Sequence, residues 1–346
     1  MDKPAIRQYR HDELMDLMEK WNEKSFRARQ IWTWLYAKPV DSFDDMTTLS
    51  QAMRKRLHAE FRLNSLTLIR KTRSDSSQVT KFLWECSDGS HIESVYIPDG
   101  KRRTLCISSQ VGCNLGCTIC ATGKLGWKRN LNTAEITDQV ISMIQQLGFR
   151  ASNIVFMGMG EPFLNYSNVI NALDILNHPD GLAIGQRKIT VSTAGVIPGI
   201  ERFTREKRPY RLAVSLNATT EKQRSAIMPV NKKYSLHNLL HTVRHYTQSS
   251  RNRVTFEYVL IRNFNDSAED AGRLTRLLKN IPCKINLIAC NPTGGRYQPP
   301  EEKTIEAFAD VLRSMRAPIT LRLSKGNDIQ GACGQLAAQD IKERGQ

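Results

Sequence analysis

Four of the chain's eight cysteines fall within the fifteen residues Cys106–Cys120, CISSQVGCNLGCTIC. The last three, Cys113, Cys117 and Cys120, are spaced C-x3-C-x2-C. Thiolates are soft ligands for iron or zinc, and short intervals let successive cysteines converge on one point. Three chemistries compete. A zinc site prefers four ligands in paired knuckles, and no second knuckle follows Cys120. A ferredoxin-type cluster asks for a fourth cysteine and would transfer electrons only. An iron–sulfur cluster with three protein ligands leaves one iron open for a small bidentate ligand.

Other reactive or polar residues stand at the ends of apolar runs. MGMGEP (157–162) follows one run, then come Ser192-Thr193, Ser215-Leu216-Asn217 and Asn291-Pro292. Any one of these is an ordinary strand-ending turn. Four on one rim, beside a cysteine loop, mark a ligand site. Glu93 shares an apolar strand face with Val95 and Ile97 in HIESVYIP. A buried unpaired carboxylate is costly, so by residue type Glu93 reads as a solvent-facing edge position, with placement for chemistry the other reading. Cys333 lies in the glycine-flanked tail GNDIQGACGQL, either as a small buried hydrophobe or as a thiol able to move into the site. Cys86, Cys283 and Cys290 read as core.

These groups must be positioned by the surrounding elements. Residues 1–62 carry helical stripes: Leu14, Leu17, Met18 and Trp21; Ile31, Trp34 and Leu35 after a Ser25 cap; then Leu49, Met53, Leu57 and Phe61. Residues 63–103 change to a period of two with an Asp88-Gly89 turn, a short β-hairpin extension. From 104 to 325 strand-like runs (TLCISS, SNIVFMG, KITVST, RLAVSLN, RVTFEYVLI, KINLIAC, PITLRLS) alternate with amphipathic segments, one of them closed by Gly148. About six βα units predict an α/β fold with parallel strands in an open, partial (βα)6 barrel. Residues 326–346 form a tail.

The 346 residues suit a large domain with a smaller one, and 50 Lys+Arg against 34 Asp+Glu leave a charge of +16. That excess favours a polyanionic partner, with nucleic acid the first expectation. The strip RFTREKRPYR (202–211) and the helical module are the docking candidates. No apolar stretch approaches the roughly 18–20 residues of a membrane span and the start is charged, so a soluble, cytoplasmic protein without membrane contact is expected.

The motifs TLCISSQVGCNLGCTICATG, FMGMGEP, ITVSTAGVIPGI, MPVNKKYSL, KINLI..NP and ACGQL, with KSFRARQIWTWLY and SFDDMT near the start, resemble those of the RlmN/Cfr-type radical S-adenosylmethionine (SAM) methyltransferases of ribosomal RNA. The resemblance runs over nearly the whole chain. It implies a radical SAM barrel in which Cys113, Cys117 and Cys120 hold a [4Fe-4S] cluster whose open iron takes the amino and carboxylate groups of SAM. It implies SAM contacts from Gly160, Glu161, Ser192, Ser215, Asn217 and Asn291. Two positions depart from the pattern: Asn217 stands where His is common, and Ile119 where an aromatic is frequent.

By the same resemblance Cys333 is a methyl carrier, methylated by one SAM, and a second SAM then yields the radical that activates its methyl group. Cys106 resolves the resulting protein–RNA adduct through a transient Cys106–Cys333 disulfide, and Glu93 is a proton acceptor. The implied product is 2-methyladenosine in 23S rRNA and in tRNA, 3′ to the anticodon, with a flavodoxin- or ferredoxin-type reductant. Two other readings stay open: a Cfr-type enzyme acting at carbon 8 of the rRNA adenosine, towards which CISSQ.GCN.GC, CATG and EITDQV lean, and a non-enzymatic iron–sulfur RNA-binding or electron-transfer module.

Overall fold

Strands whose two faces are both covered should read as nearly continuous apolar runs, and the runs from residue 104 onward do so. In the computed structural model, which describes residues 3–322 and 324–338, they build the centre of one ten-stranded sheet. Met1, Asp2, Leu323 and residues 339–346 lie outside the described residues, among them the end of the 326–346 tail and one position of PITLRLS.

Three antiparallel strands come first: β1 (Leu66–Arg73), β2 (Thr80–Cys86) and β3 (His91–Asp99), the last two joined through Asp88-Gly89. β4 (Arg102–Cys106) pairs antiparallel with β3 and begins the parallel part. A small ribbon of β5 (Gln110–Gly112) and β6 (Trp127–Asn130) stands apart from the main sheet. β7 (Asn153–Phe156), β8 (Ile189–Thr193), β9 (Arg211–Ser215), β10 (Val254–Leu260), β11 (Cys283–Ala289) and β12 (Ile319–Arg322) follow in spatial order, each parallel to its neighbour. This is a partial barrel of six βα units closed by a seventh parallel strand. The expected hairpin is a three-stranded meander continuous with the barrel sheet. β3 is therefore an interior strand, and the edge reading of Glu93 is overturned: its side chain is buried and Lys81 Nζ lies 2.9 Å away.

Three helices precede the sheet, α1 (His11–Lys20), α2 (Phe26–Trp32) and α3 (Gln51–Glu60). Ser50 caps α3 by accepting from Met53 N, but Ser25 is itself helical (φ −54°, ψ −33°) and makes no capping bond. A cap residue needs an extended backbone to aim its oxygen at the first turn, so the Ser25 expectation fails. The short helix α4 (Ala121–Lys124) leaves the cysteine loop, and α5 (Thr133–Leu147) crosses the sheet from an Asn132–Glu135 capping box to Gly148 at φ 72°. α6 (Tyr166–Asn177), α7 (Ile197–Arg205), α8 (Glu221–Ile227), α9 (Leu236–Ser250), α10 (Ala268–Leu278) and α11 (Glu302–Leu312) complete the outer layer.

Buried polar residues on α5 lock the layers together. Asp138 takes Arg7 Nη1 at 2.7 Å and Ser65 N at 2.6 Å, fastening the helical module to the barrel. Gln139 takes Ser108 N and Ser94 Oγ, both at 2.7 Å, and so holds the backbone just beyond β4.

Candidate active site

Two cavities open at opposite ends of the parallel strands. The first lies at their C-terminal ends, where side chains of a barrel converge on a ligand. It is lined by Cys113, Cys117 and Cys120, by Gly160 and Glu161, and by Ser192, Ser215, Asn217 and Asn291. Every residue expected on the cluster and SAM rim is present. Ile119 joins them, along with Met157, Glu257 and Ile288.

The cysteine loop is held from three sides. Cys113 N donates to Gly126 O at 2.7 Å, Thr118 N to Ile227 O at 3.0 Å, and Ala121 N to Gly334 O at 2.7 Å. Arg129 pins its far end to the β2–β3 turn and to α5 through bidentate pairs with Asp88 and Glu135 at 2.7–3.0 Å. Burial pushes the Cys113 thiol up to about 12 and raises that of Cys117. Neither would ionise near neutrality without a cation to bind. Among the described residues no three His, Cys, Asp or Glu side chains close on a single metal ion. A cubane cluster asks for a different arrangement, since each thiolate takes its own iron. Three sulfur donors on one cavity wall fit that group.

Glu161 is the acidic end of this cavity. It accepts from Phe163 N at 3.1 Å and Ala194 N at 2.7 Å, which aim both oxygens. Burial nevertheless raises its carboxyl to about 7. The residue before it must be glycine: Gly160 sits at φ +96°, and a Cβ there would come 2.5 Å from the Gln110 side chain. Asn217 also has positive φ, 57°, a conformation asparagine tolerates. Its Oδ1 accepts from Val259 N at 3.0 Å, so the side chain ties β9 to β10 while facing the cavity.

Sequence reasoning missed Arg224. It is buried on α8, and its guanidinium donates to the carbonyls of Ala194, Ser215 and Leu216 and to Asn231 Oδ1. It gathers the loops after β8 and β9, and Asn231 of the MPVNKKYSL motif is there to orient it. Burial lowers it to about 10.

The second cavity enters at the N-terminal ends of β4, β7, β8 and β9 and runs inward to Cys106 and Arg322, the last residues of β4 and β12. Its wall includes Arg102, Thr104 and Cys106 of β4, Asn153, Thr190 and Arg211 at the starts of β7, β8 and β9, and Arg322 and Lys325 beyond. Cys106 is buried here, not in the cluster cavity, and its thiol is pushed up to about 12 by burial and then by Cys333, with Arg322 opposing. Arg322 was also missed: one inward charge on a short strand reads from sequence as an edge residue.

Cys333 lines both cavities, as do Met157 and Ile288. Its segment is fastened on every side. Asn291 Nδ2 donates to Cys333 O at 3.0 Å, Thr122 Oγ1 to Leu336 O at 2.6 Å, and Gln335 Nε2 to Pro292 O at 3.1 Å. Gly334, at φ +83°, lies where a Cβ would meet Ile119 O at 3.0 Å. Ala337 N and Ala338 N donate to Glu93 Oε2 at 2.9 and 3.1 Å, while Lys81 holds Oε1. Glu93 thus clamps the tail from behind; among the described residues it contributes to neither lining.

The chain is similar to known proteins over nearly all of its length. Residues 107–275 match the Radical SAM superfamily and residues 6–63 match the ribosomal RNA large subunit methyltransferase N-terminal domain. A dual-specificity RNA methyltransferase RlmN of Anaeromyxobacter dehalogenans is 43% identical, with 98% of this chain and 93% of that protein aligned. The dual-specificity RNA methyltransferase RlmN 2 of Myxococcus xanthus is 44% identical over 94% of this chain and 88% of its own length. The crystal structure of a radical SAM methyltransferase from Sphaerobacter thermophilus superposes with a TM-score of 0.94 at 40% identity, covering 97% of this chain and all of that one.

Proposed function

The chain belongs to the RlmN family of radical SAM RNA methyltransferases, and from that premise we propose that it methylates carbon 2 of an adenosine in 23S rRNA and of the adenosine 3′ to the anticodon in tRNA. It does so in the cytoplasm, with two SAM molecules per methyl group delivered. The observation that supports this most directly is the position of Cys333 in the walls of both cavities. A carrier thiol must meet the methyl donor on one side and the acceptor base on the other.

In this reading the cavity at the C-terminal strand ends takes SAM. Glu161 accepts from its amino group, Ser192, Ser215, Asn217 and Asn291 orient the rest, and Cys113, Cys117 and Cys120 would hold a [4Fe-4S] cluster. When bound, that cluster supplies the electron that splits SAM to methionine and a 5′-deoxyadenosyl radical. The second cavity admits the acceptor nucleotide, with Arg102 and Arg211 at its mouth available to phosphates.

The chain's own residues then do the thiol chemistry. Cys333 Sγ, as a thiolate, takes a methyl group from the first SAM by displacement. After that methylene carbon has been bonded to the adenine, Cys106 Sγ, as a thiolate, attacks Cys333 Sγ; the S–S bond forms as the S–C bond breaks, the carbon keeps that electron pair and takes up a proton to become the methyl group, and the disulfide remains to be reduced. Glu93 is the proposed proton acceptor. Its Oε2 also holds Ala337 N and Ala338 N, so taking the proton loosens the tail.

Mass spectrometry of nucleosides from a host lacking its own enzyme and expressing this one tests the reading. 2-Methyladenosine is expected in rRNA and tRNA. 8-Methyladenosine instead would make it a Cfr-type enzyme, and neither product, without SAM consumption, would end the methyltransferase reading.

A further inference from the structure

The two thiols of the proposed chemistry share their cavity with a charge that the mechanism has not used. β4 and β12 are the first and last of the parallel strands, with five others between them in the sheet. The residues that end them, Cys106 and Arg322, nevertheless line one cavity, and Cys333 of the returning tail lines it too. The sheet has curled until its two edge strands face a common space. Ile288, which pairs with Arg322 in the β11–β12 register, belongs to the walls of both cavities, as does Cys333. Arg322 therefore stands at the seam where the cavities adjoin.

The acids around this guanidinium are engaged elsewhere. Asp99 on β3 is paired with Lys325 at 3.1 Å. Glu93 on the same strand is taken by Lys81 and by the amides of Ala337 and Ala338. Glu257 on β10 accepts from Asn286 Nδ2 at 2.8 Å and faces the first cavity. Among the described residues the Arg322 side chain makes no hydrogen bond or ion pair of its own. The strongest partner left to it is sulfur: Cys333 first, against burial, then Glu257 and Cys106, hold its proton on. For Cys106 the balance is adverse, since burial and then Cys333 push the thiol up to about 12, and Arg322 is the cation that opposes them. Arg102 and Arg211 are exposed at the cavity mouth, where water screens their charge.

We propose that Arg322 is the counter-charge of the resolving thiol: its guanidinium holds Cys106 as the thiolate that attacks Cys333 Sγ. The proposal rests on the reading of Cys106 as the thiol that frees the RNA adduct, and deepens it. The Cys106 proton leaves to solvent through the cavity mouth, and the electron pair left on its sulfur becomes the S–S bond. The S–C bond breaks with its pair on the carbon, which takes up a proton, and Arg322 stays protonated throughout. A buried thiol needs such help, because the thiolate is the nucleophile and burial disfavours its charge. Phosphate is the other anion a guanidinium takes. Arg102 and Arg211 stand at the mouth for that, whereas Arg322 lies at the inner end with the thiols.

The test compares Arg322→Gln, which removes the charge, with Arg322→Lys, which keeps it, in the full chain. A thiol that ionises one pH unit later has about tenfold less thiolate, offset about threefold by its greater nucleophilicity. Without RNA, alkylation of Cys106 by iodoacetamide is followed by peptide mass spectrometry as a function of pH. Its profile for Arg322→Gln should be displaced to the alkaline side and about threefold or more slower near neutrality, with Arg322→Lys close to the wild type. With substrate RNA, decay of the covalent adduct is followed on a denaturing gel after a single turnover, a step into which RNA affinity does not enter. Decay in Arg322→Gln should slow by a similar factor and keep climbing with pH beyond the point where the wild type levels off. Arg322→Lys should restore it. Iron–sulfur absorbance and SAM affinity as in the wild type report that the variants fold. An undisplaced Cys106 profile in Arg322→Gln would overturn the proposal. So would slow adduct decay that neither alkaline pH nor Arg322→Lys recovers, the mark of a packing residue. A displaced profile in a chain that never forms the adduct would leave the counter-charge standing and remove the resolving role of Cys106.

Discussion

The two cavities along the parallel strands are lined by different chemistry. At the C-terminal ends the wall combines apolar side chains such as Phe156, Met228 and Val259 with short polar ones, Ser192, Ser215 and Asn217, with Glu161 and Glu257 the acidic groups that face in and Arg224 turned away to bind carbonyls. That suits a small zwitterionic ligand held by many directed bonds. Along the second cavity Arg102 and Arg211 stand where their strands begin, Arg322 and Cys106 where theirs end, and Lys325 is paired with Asp99; the net positive charge suits a polyanion. One sheet supports both because its inward face runs from end to end. The contrast teaches that the tail is the connector: Cys333 is the reactive atom common to the two walls.

The largest effect should come from breaking that connection. Cys333→Ala is expected to abolish methylation while the iron–sulfur absorbance persists. Loss of the absorbance would make Cys333 a ligand and collapse the distinction between the ends. Cys106→Ala should stop turnover at a later stage, leaving protein covalently attached to RNA on a denaturing gel. Free protein with normal turnover would remove Cys106 from the chemistry.

Smaller changes sharpen the contrast. Arg102→Gln with Arg211→Gln should lower RNA affinity and reduce the magnitude of its salt slope by roughly 2, with SAM affinity unchanged in equilibrium dialysis. A matching loss of SAM binding would mean the ends are not independent. At the other end, pH should act through Glu161. Burial raises its carboxyl to about 7, and a bound amino group that donates to it favours the ionised form, so SAM affinity is present above that value and is lost as pH falls through it. Binding about tenfold weaker at pH 6 than at pH 8 is expected. Glu161→Gln should be weak and flat over that range. A wild type with no slope would take Glu161 off the amino group.

Much of this molecule was readable beforehand. The order of strands and helices follows from apolar periodicity, and the C-terminal rim follows from small polar residues recurring where each run stops. Both are local signals, set by side-chain alternation and turn chemistry. Ser25 shows the limit of that reasoning, because a capping residue type cannot report its own backbone angles. Glu93 shows a second limit. Alternation assigned its face correctly, but whether that face met water depended on β4 pairing beyond it and on a tail more than two hundred residues away folding back to donate Ala337 N and Ala338 N.

The sequence by itself determined which atoms were available: three cysteines spaced for a cluster, two more thiols, and a rim of short polar side chains. Only the tertiary structure decided which of them meet. Cys106 stands seven residues before Cys113 in the chain, yet it lines the opposite cavity, because β4 ends at Cys106 with that side chain turned into the barrel and the loop beyond rises over the other end. Cys333 is distant from both in sequence and lines both cavities in space. Spacing along a chain constrains neighbours only; long-range pairing and the return of the tail place the thiols, and no local pattern encodes where a returning segment will dock.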